Sequence, residues 1–401
     1  MQDMLDNWHN KLRQIEKAAR FSEFTFKLLQ IRASELWARM IVPTAWYRSP
    51  SLPRDIVIRA TEECFLHCKF CAQGGEKGRV DQKSLKTGPV EARTFRKIID
   101  ETSRWRIKPF IKITGGEPLV MGHGFLDILE EMRDRGFVVK LNTNGMLLKN
   151  RRIAKRIVEA GINYLSISLD GGREVHNRLR GNAKLFDAMM EGIENIHEYR
   201  RTLARKNPMI LVSMVVSSET YDQIEEVYRI ALERKVDWFN VQFLNYTLPE
   251  GCELAHAYAQ DHFGIQDAPW SSFCNPRFND IRPDLVAGQI RAIQARRGAV
   301  PVSVMGGLSS RDAVSSYYFT QDPIRRNICC LPFTGMHIVP PGKAVFCIDY
   351  PFYEYGDVRE ERLESIWYGG KAERFRTHLR SYHLGEGKNF PQCQRCNWRF
   401  N

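Results

Sequence analysis

The chain has 401 residues, 43% hydrophobic and 26% charged, the balance of a folded protein with one large domain plus a smaller one, or two or three domains. Lys and Arg total 59 against 47 Asp and Glu, and the resulting net charge of +12 favours anionic partners. No apolar run reaches the ~18 residues of a membrane span, and the start Met1-Gln2-Asp3-Met4 lacks the basic segment and apolar core of an export signal. The ten cysteines are therefore expected in a reducing, cytoplasmic setting and not in a disulfide framework. No helix-turn-helix or RNA-recognition signature accompanies the positive charge, so no nucleic-acid partner is expected.

Residues 1–53 read as a helical extension of two helices. The second, from about Ser22 to Met40, carries Phe24, Phe26, Leu28, Leu29, Ile31, Leu36, Trp37 and Met40 among Lys27, Arg32 and Arg39. Such a helix packs on the main domain or on a second subunit, or touches a membrane or a lipid-like substrate peripherally. Pro43, Pro50 and Pro53 then break the chain.

From 54 to 245, strand patterns at Ile56–Ala60, Phe110–Thr114, Phe137–Asn142, Tyr164–Leu169, Met209–Val216 and Trp238–Leu244 alternate with five helical ones, at about 93–106, 123–135, 149–160, 184–199 and 220–234. This alternation predicts a parallel α/β sheet with right-handed crossovers, a partial (β/α)6 barrel of the TIM type. Ligands in such sheets gather at the C-terminal strand ends. Residues 246–299 are expected as an irregular active-site loop and a linker helix near 284–297. Residues 300–401, rich in Gly, Pro, aromatics and cysteine, are expected as a small α+β domain.

The first strand leads into Cys64-x3-Cys68-x2-Cys71, with Phe70 before the third cysteine. Three clustered thiolates can hold three irons of a cubane cluster and leave the fourth iron open. Alone, the spacing also fits zinc or redox chemistry. The next strands end in Thr114-Gly115-Gly116-Glu117-Pro118, in Asn142-Thr143-Asn144-Gly145 and in Ser166-Ile167-Ser168-Leu169-Asp170-Gly171, with Arg178 and Arg180 following. In order and spacing, over about residues 55–245, these motifs resemble the radical S-adenosylmethionine (radical SAM) enzymes.

The resemblance implies that Cys64, Cys68 and Cys71 hold a [4Fe–4S] cluster whose open iron binds SAM. Gly115, Gly116 and Glu117 would meet the methionine amine, Ser168 and Asp170 the ribose, and Arg180 the carboxylate, with Phe70 flanking the adenine. Asn144 would border the same pocket, although it and Asn142 read equally as turn formers. The reduced cluster would cleave SAM to methionine and a 5′-deoxyadenosyl radical that takes hydrogen from an unactivated carbon. A reductase with flavodoxin, or a ferredoxin, would supply the electron.

A second cysteine set follows: Cys329-Cys330-Leu331-Pro332-Phe333, then Gly342-x4-Cys347, then Cys393-x2-Cys396. Four thiolates suit zinc or a closed iron–sulfur cluster. The hairpin and the later Cys-x2-Cys, with Gly356-Asp357, Leu363–Trp367 and Arg374 between, resemble the SPASM/twitch extensions of radical SAM enzymes. Cys329, Cys347, Cys393 and Cys396 would hold one auxiliary [4Fe–4S] cluster, with Cys330 the alternative first ligand. The chain stops five residues past Cys396, so the shorter, twitch-like form with one cluster is expected.

A fully ligated second cluster points to electron transfer and to net oxidation, either dehydrogenation or bond formation. Peptide or protein maturation remains open, as does epimerisation with Cys252 or Cys274 as hydrogen donor. A small molecule, a peptide and a lipid-linked compound all remain candidate substrates. The reading from another class, a non-catalytic iron–sulfur electron carrier, has no need of the strand-end SAM motifs.

Overall fold

The computed structural model describes residues 22–44, 46–75, 88–245, 249–266, 280–296, 300–319, 329–348 and 351–383. Helix α1 (Ser22–Ile41) precedes six strands: β1 (Asp55–Arg59), β2 (Phe110–Thr114), β3 (Val139–Thr143), β4 (Tyr164–Ser168), β5 (Met209–Val216) and β6 (Trp238–Phe243). These lie side by side in chain order, each parallel to the next. The connecting helices are α2 (Ala92–Ser103), α3 (His123–Asp134), α4 (Arg151–Ala160), α5 (Arg173–Arg180), α6 (Leu185–Thr202) and α7 (Ile224–Glu233).

The strand period of two decides the core. Ile56, Ile58, Ile111, Ile113, Leu141, Leu165, Ile167 and Val212 share one face and are buried with Phe95, Ile98, Leu129, Ile157, Ile193 and Val227 of the helices. The opposite face carries Lys112, Lys140, Asn142, Ser166, Ser168 and Ser213, so the inside of the curled sheet is polar.

Two strands from beyond residue 300 extend this sheet. β7 (Val302–Val304) adds parallel to β6, and β8 (Gly335–Val339) adds parallel to β1. β9 (Lys343–Val345) and β10 (Glu354–Asp357) follow antiparallel, giving ten strands in the order β10-β9-β8-β1-β2-β3-β4-β5-β6-β7. The sheet is open between β10 and β7, a partial barrel. The C-terminal segment thus shares backbone hydrogen bonds with β1 and β6, and no break in the ladder falls near residue 300.

Two helices lie where none was expected. α5 is only eight residues long and strongly polar, with Leu179 its one buried aliphatic side chain. α8 (Pro249–Phe263) occupies part of the expected irregular insert. Its Pro at the first position and the run Glu253-Leu254-Ala255-His256-Ala257-Tyr258-Ala259 favour a helix, a propensity masked by the neighbouring Pro, Gly and aromatic residues. The linker helix forms as α9 (Pro283–Ala295).

α1 packs on the main body. Ile31 joins Phe110, Val138, Tyr164 and Met209, residues at or beside the starts of β2 to β5, and so plugs the N-terminal end of the barrel. Further along, Ala38 and Val42 pack with Tyr47, Phe333 and Leu379. Leu29, Leu36 and Met40 remain exposed on its outer side. Among the described residues no helix is long and apolar enough to cross a membrane.

Candidate active site

The loop after β1 is fastened to the loop after β2. Gly116 N–H donates to Thr61 O and Glu117 N–H to Glu63 O, both at 2.7 Å. A Cβ on Gly116 would lie 2.1 Å from Glu63 O, so only glycine allows this approach. The close partner of the two glycines is thus the cysteine loop's own backbone, which the β2 turn holds in place. Lys69 N–H donates to Leu179 O at 3.0 Å and ties the same loop to α5.

Within the loop, backbone N–H groups point at sulfur. Leu66 N donates to Cys64 Sγ at 3.4 Å, and Gln73 N and Gly74 N donate to Cys71 Sγ at 3.4 and 3.5 Å. Burial pushes the Cys68 thiol up to about 11 and raises that of Cys64, and the Arg180 charge opposes both shifts. The bare thiols of Cys64 and Cys68 thus favour their protonated form, and a bound metal would displace those protons.

A cavity of about 430 Å³ opens on all three thiols, a volume within the roughly 300–1,000 Å³ range of small-molecule sites. Gly115, Gly116, Asn144, Ser168 and Arg180 form part of its wall. Glu117, Asp170 and Phe70 are not on that wall. Glu117 is fully buried and accepts from Leu119 N (3.1 Å), Asn144 N (2.8 Å) and Thr143 Oγ1 (2.9 Å), so it joins the ends of β2 and β3. Burial raises its carboxyl to about 7. Asp170 Oδ2 accepts from Arg180 Nε at 2.8 Å and Nη2 at 2.6 Å, and its Oδ1 accepts from Val215 N at 3.0 Å. Asp170 therefore orients Arg180 instead of facing the cavity. The Phe70 ring lies 5.5 Å from the Arg180 guanidinium.

The cavity also reaches Ser166, quoted in the β4 motif but given no role, and three residues outside the motifs: Lys140, Ser213 and Gln242. Their common signal is a polar residue at an inward position of an otherwise buried parallel strand, where apolar side chains are the rule.

In the second set, Cys329 and Cys330 lead into a short turn of helix, α10 (Leu331–Thr334), and then β8. The antiparallel register of β8 and β9 returns Cys347 toward the same end of β8. Cys330 Sγ donates to Glu35 O of α1 at 3.6 Å, and burial pushes this thiol up to about 12. Ile348 N, next to Cys347, donates to His337 Nδ1 at 2.9 Å, and Arg59 Nη2 donates to Ile348 O. Cys274, Cys393 and Cys396 lie outside the described residues. Cys252 sits on α8 in a small cluster with Ala255, Ala259 and Phe352, away from the cavity wall.

Comparison with known proteins agrees with this geometry. Residues 58–231 match the radical SAM superfamily model, and residues 329–397 match the model of the SPASM iron–sulfur cluster-binding domain. The AdoMet-dependent heme synthase of Methanosarcina barkeri is 32% identical over 81% of this chain and 84% of its own. A tungsten-containing aldehyde ferredoxin oxidoreductase cofactor-modifying protein of Pyrococcus furiosus is 28% identical over 49% of this chain. The Fe-coproporphyrin III synthase of M. barkeri is 31% identical over 36%. These last two matches span only 52% and 34% of the relatives' own lengths. Streptococcus suis SuiB bound to S-adenosylmethionine shares the fold, with a TM-score of 0.59 at 16% identity over 82% of this chain and 68% of its own. A mostly parallel open sheet with three thiols beyond its first strand, all on one cavity, suits a cysteine-ligated metal cofactor. The chain belongs to the radical SAM superfamily and carries a SPASM-type iron–sulfur domain at its C-terminal end.

The residues present fit the cofactors of that family. Three thiols share one cavity with amide donors aimed at sulfur, and soft thiolates are the ligand type iron–sulfur clusters take.

Proposed function

We propose that this chain abstracts hydrogen from an unactivated carbon of a carboxylate-bearing tetrapyrrole and carries out a net two-electron oxidation. The observation that carries the chemistry is the single cavity that joins the three thiols to the strand-end polar groups. When bound, the clusters supply one-electron chemistry, with SAM cleavage at Cys64, Cys68 and Cys71 and electron acceptance at the second cysteine set. The substrate gives up one hydrogen atom to the SAM-derived radical, then one electron and one proton. A ferredoxin- or flavodoxin-type protein serves both electron-transfer sites.

The protein's own part is placement and exclusion of water. Gly115 and Gly116 hold the cysteine loop, Ser168 and Asn144 border the SAM pocket, and Asp170 aims Arg180. Cys329 is the auxiliary ligand and Cys330 a packed thiol, because Cys330 is engaged with α1. The substrate class rests on the relative aligned over most of both chains, a heme synthase. Anaerobic protein given SAM, dithionite and iron coproporphyrin III should form 5′-deoxyadenosine in step with an oxidised porphyrin seen by mass spectrometry. No 5′-deoxyadenosine in iron-replete protein would sink the enzymatic reading; formation that porphyrin does not stimulate would sink the substrate class alone.

A further inference from the structure

We propose that Lys140 binds a carboxylate of the substrate inside the barrel, below the cysteine loop. The proposal deepens the reading above and rests on it for the class of substrate. Lys140 and Lys112 are register partners on β3 and β2 and face the same polar interior. Lys112 Nζ lies 2.5 Å from Asp55 Oδ2, so its charge is answered. Lys140 lines the cavity, and no acceptor among the described residues takes a hydrogen bond from it. Burial and the neighbouring Lys112 lower its ammonium to about 8, so at neutral pH it still carries a proton and an unbalanced charge.

Unsatisfied polar atoms lie above it. Asn144 Nδ2 is a buried donor with no partner among the described residues, open to a carboxylate oxygen; Asn142 Oδ1, two residues along the same face as Lys140, is a buried acceptor without one, which a donor group of the ligand would meet. Buried polar groups left unpaired cost free energy, and a bound polar ligand removes that cost. The hydroxyls of Ser166 and Ser213 share a hydrogen bond of 3.1 Å on the same cavity wall, which leaves one O–H free to donate. One uncompensated cation matches one carboxylate, whereas a phosphate dianion would need a second cation, and Lys112 is already committed. SAM has its own candidate nearer the thiols: Arg180 lines the cavity, and its Nη1 makes no hydrogen bond among the described residues. Lys140 lies about 7 Å deeper than Asn142 along the strand.

The test uses the full chain, anaerobically reconstituted and loaded with SAM, titrated by absorbance with iron coproporphyrin III and with its tetramethyl ester. The wild type should bind the acid at least about tenfold more tightly than the ester. Lys140→Met should lose that preference, and Lys140→Arg should restore most of it. Acid binding to Lys140→Met at wild-type strength would overturn the proposal. So would a tenfold loss of SAM affinity by equilibrium dialysis, which would put the methionine carboxylate on Lys140. If the wild type binds neither porphyrin, the tetrapyrrole class is lost, and Lys140 is then tested with propionate itself. Propionate should slow acetylation of Lys140, read by peptide mass spectrometry, while propionamide should not; equal rates would overturn the assignment.

Discussion

Arg180 gives two of its donors, Nε and Nη2, to a single oxygen of the fully buried Asp170, while Arg180 itself keeps a small exposed edge on the cavity. Removing one partner strands a buried charge, at a cost of about 3–5 kcal/mol. Asp170→Ala should therefore lower the free energy of urea unfolding by about that amount. The double variant Asp170→Ala/Arg180→Ala should lose clearly less than the sum of the two single changes, and strict additivity would show that the two residues are not coupled.

Gly116 is a steric gate for the loop. A methyl group 2.1 Å from Glu63 O must push the backbone apart. Gly116→Ala should cut SAM cleavage at least about tenfold and broaden the reduced-cluster EPR signal. Gly124, at the start of α3, has nothing within 4 Å of its Cβ position, so Gly124→Ala serves as the tolerated control.

Stability against pH carries opposing contributions. Burial raises the Glu117 carboxyl from its ordinary 4.5 to about 7, so the folded state binds the extra proton between those values and this contribution is lost as pH rises through 7. Burial lowers His176 to about 3 and His337 to about 4, so their contribution is present above 6.5 and lost as pH falls toward 4. Glu117→Gln removes the first effect and leaves the second. Between pH 5.5 and 6.5 the unfolding free energy of that variant should climb with pH more steeply than that of the wild type, by denaturant titration at each pH. An unchanged slope would mean that Glu117 keeps an ordinary carboxyl.

The adjacent cysteines can be separated by iron counting. With two [4Fe–4S] clusters the wild type should hold about eight irons. Cys329→Ala should drop this to about four, and Cys330→Ala should leave it near eight. The reverse result would exchange the roles of the two thiols. Replacement of Cys64, Cys68 and Cys71 together should abolish 5′-deoxyadenosine formation.

The strand order of the core and the position of the cysteine loop were legible because long helices and five- to eight-residue apolar strands alternate without interruption. The fates of Asp170 and Glu117 were not. A carboxylate in a strand-end motif looks the same whether it meets a ligand or turns inward, and only the positions of Arg180, Val215 and Thr143 decide. Lys140 escaped notice for a related reason. One lysine in Val139-Lys140-Leu141-Asn142 reads as an outward residue of a half-exposed strand, until the curl of the sheet makes its face the interior. Nothing local to Gly335–Val339 announces β1 as its neighbour, because a parallel pairing across so long a separation leaves no mark in either strand's own pattern.

That neighbour relation has a mechanical consequence. β8 leads from Cys329 and Cys330 and hydrogen-bonds to β1, which opens into the Cys64 loop, and Arg59 reaches across to the carbonyl beside Cys347. Electron tunnelling rates fall exponentially with the gap between donor and acceptor. With the proposed ligand sets, the part of that gap between the Cys64 loop and Cys329 and Cys347 is spanned by a β-ladder, so rocking of the surrounding helices would change it little.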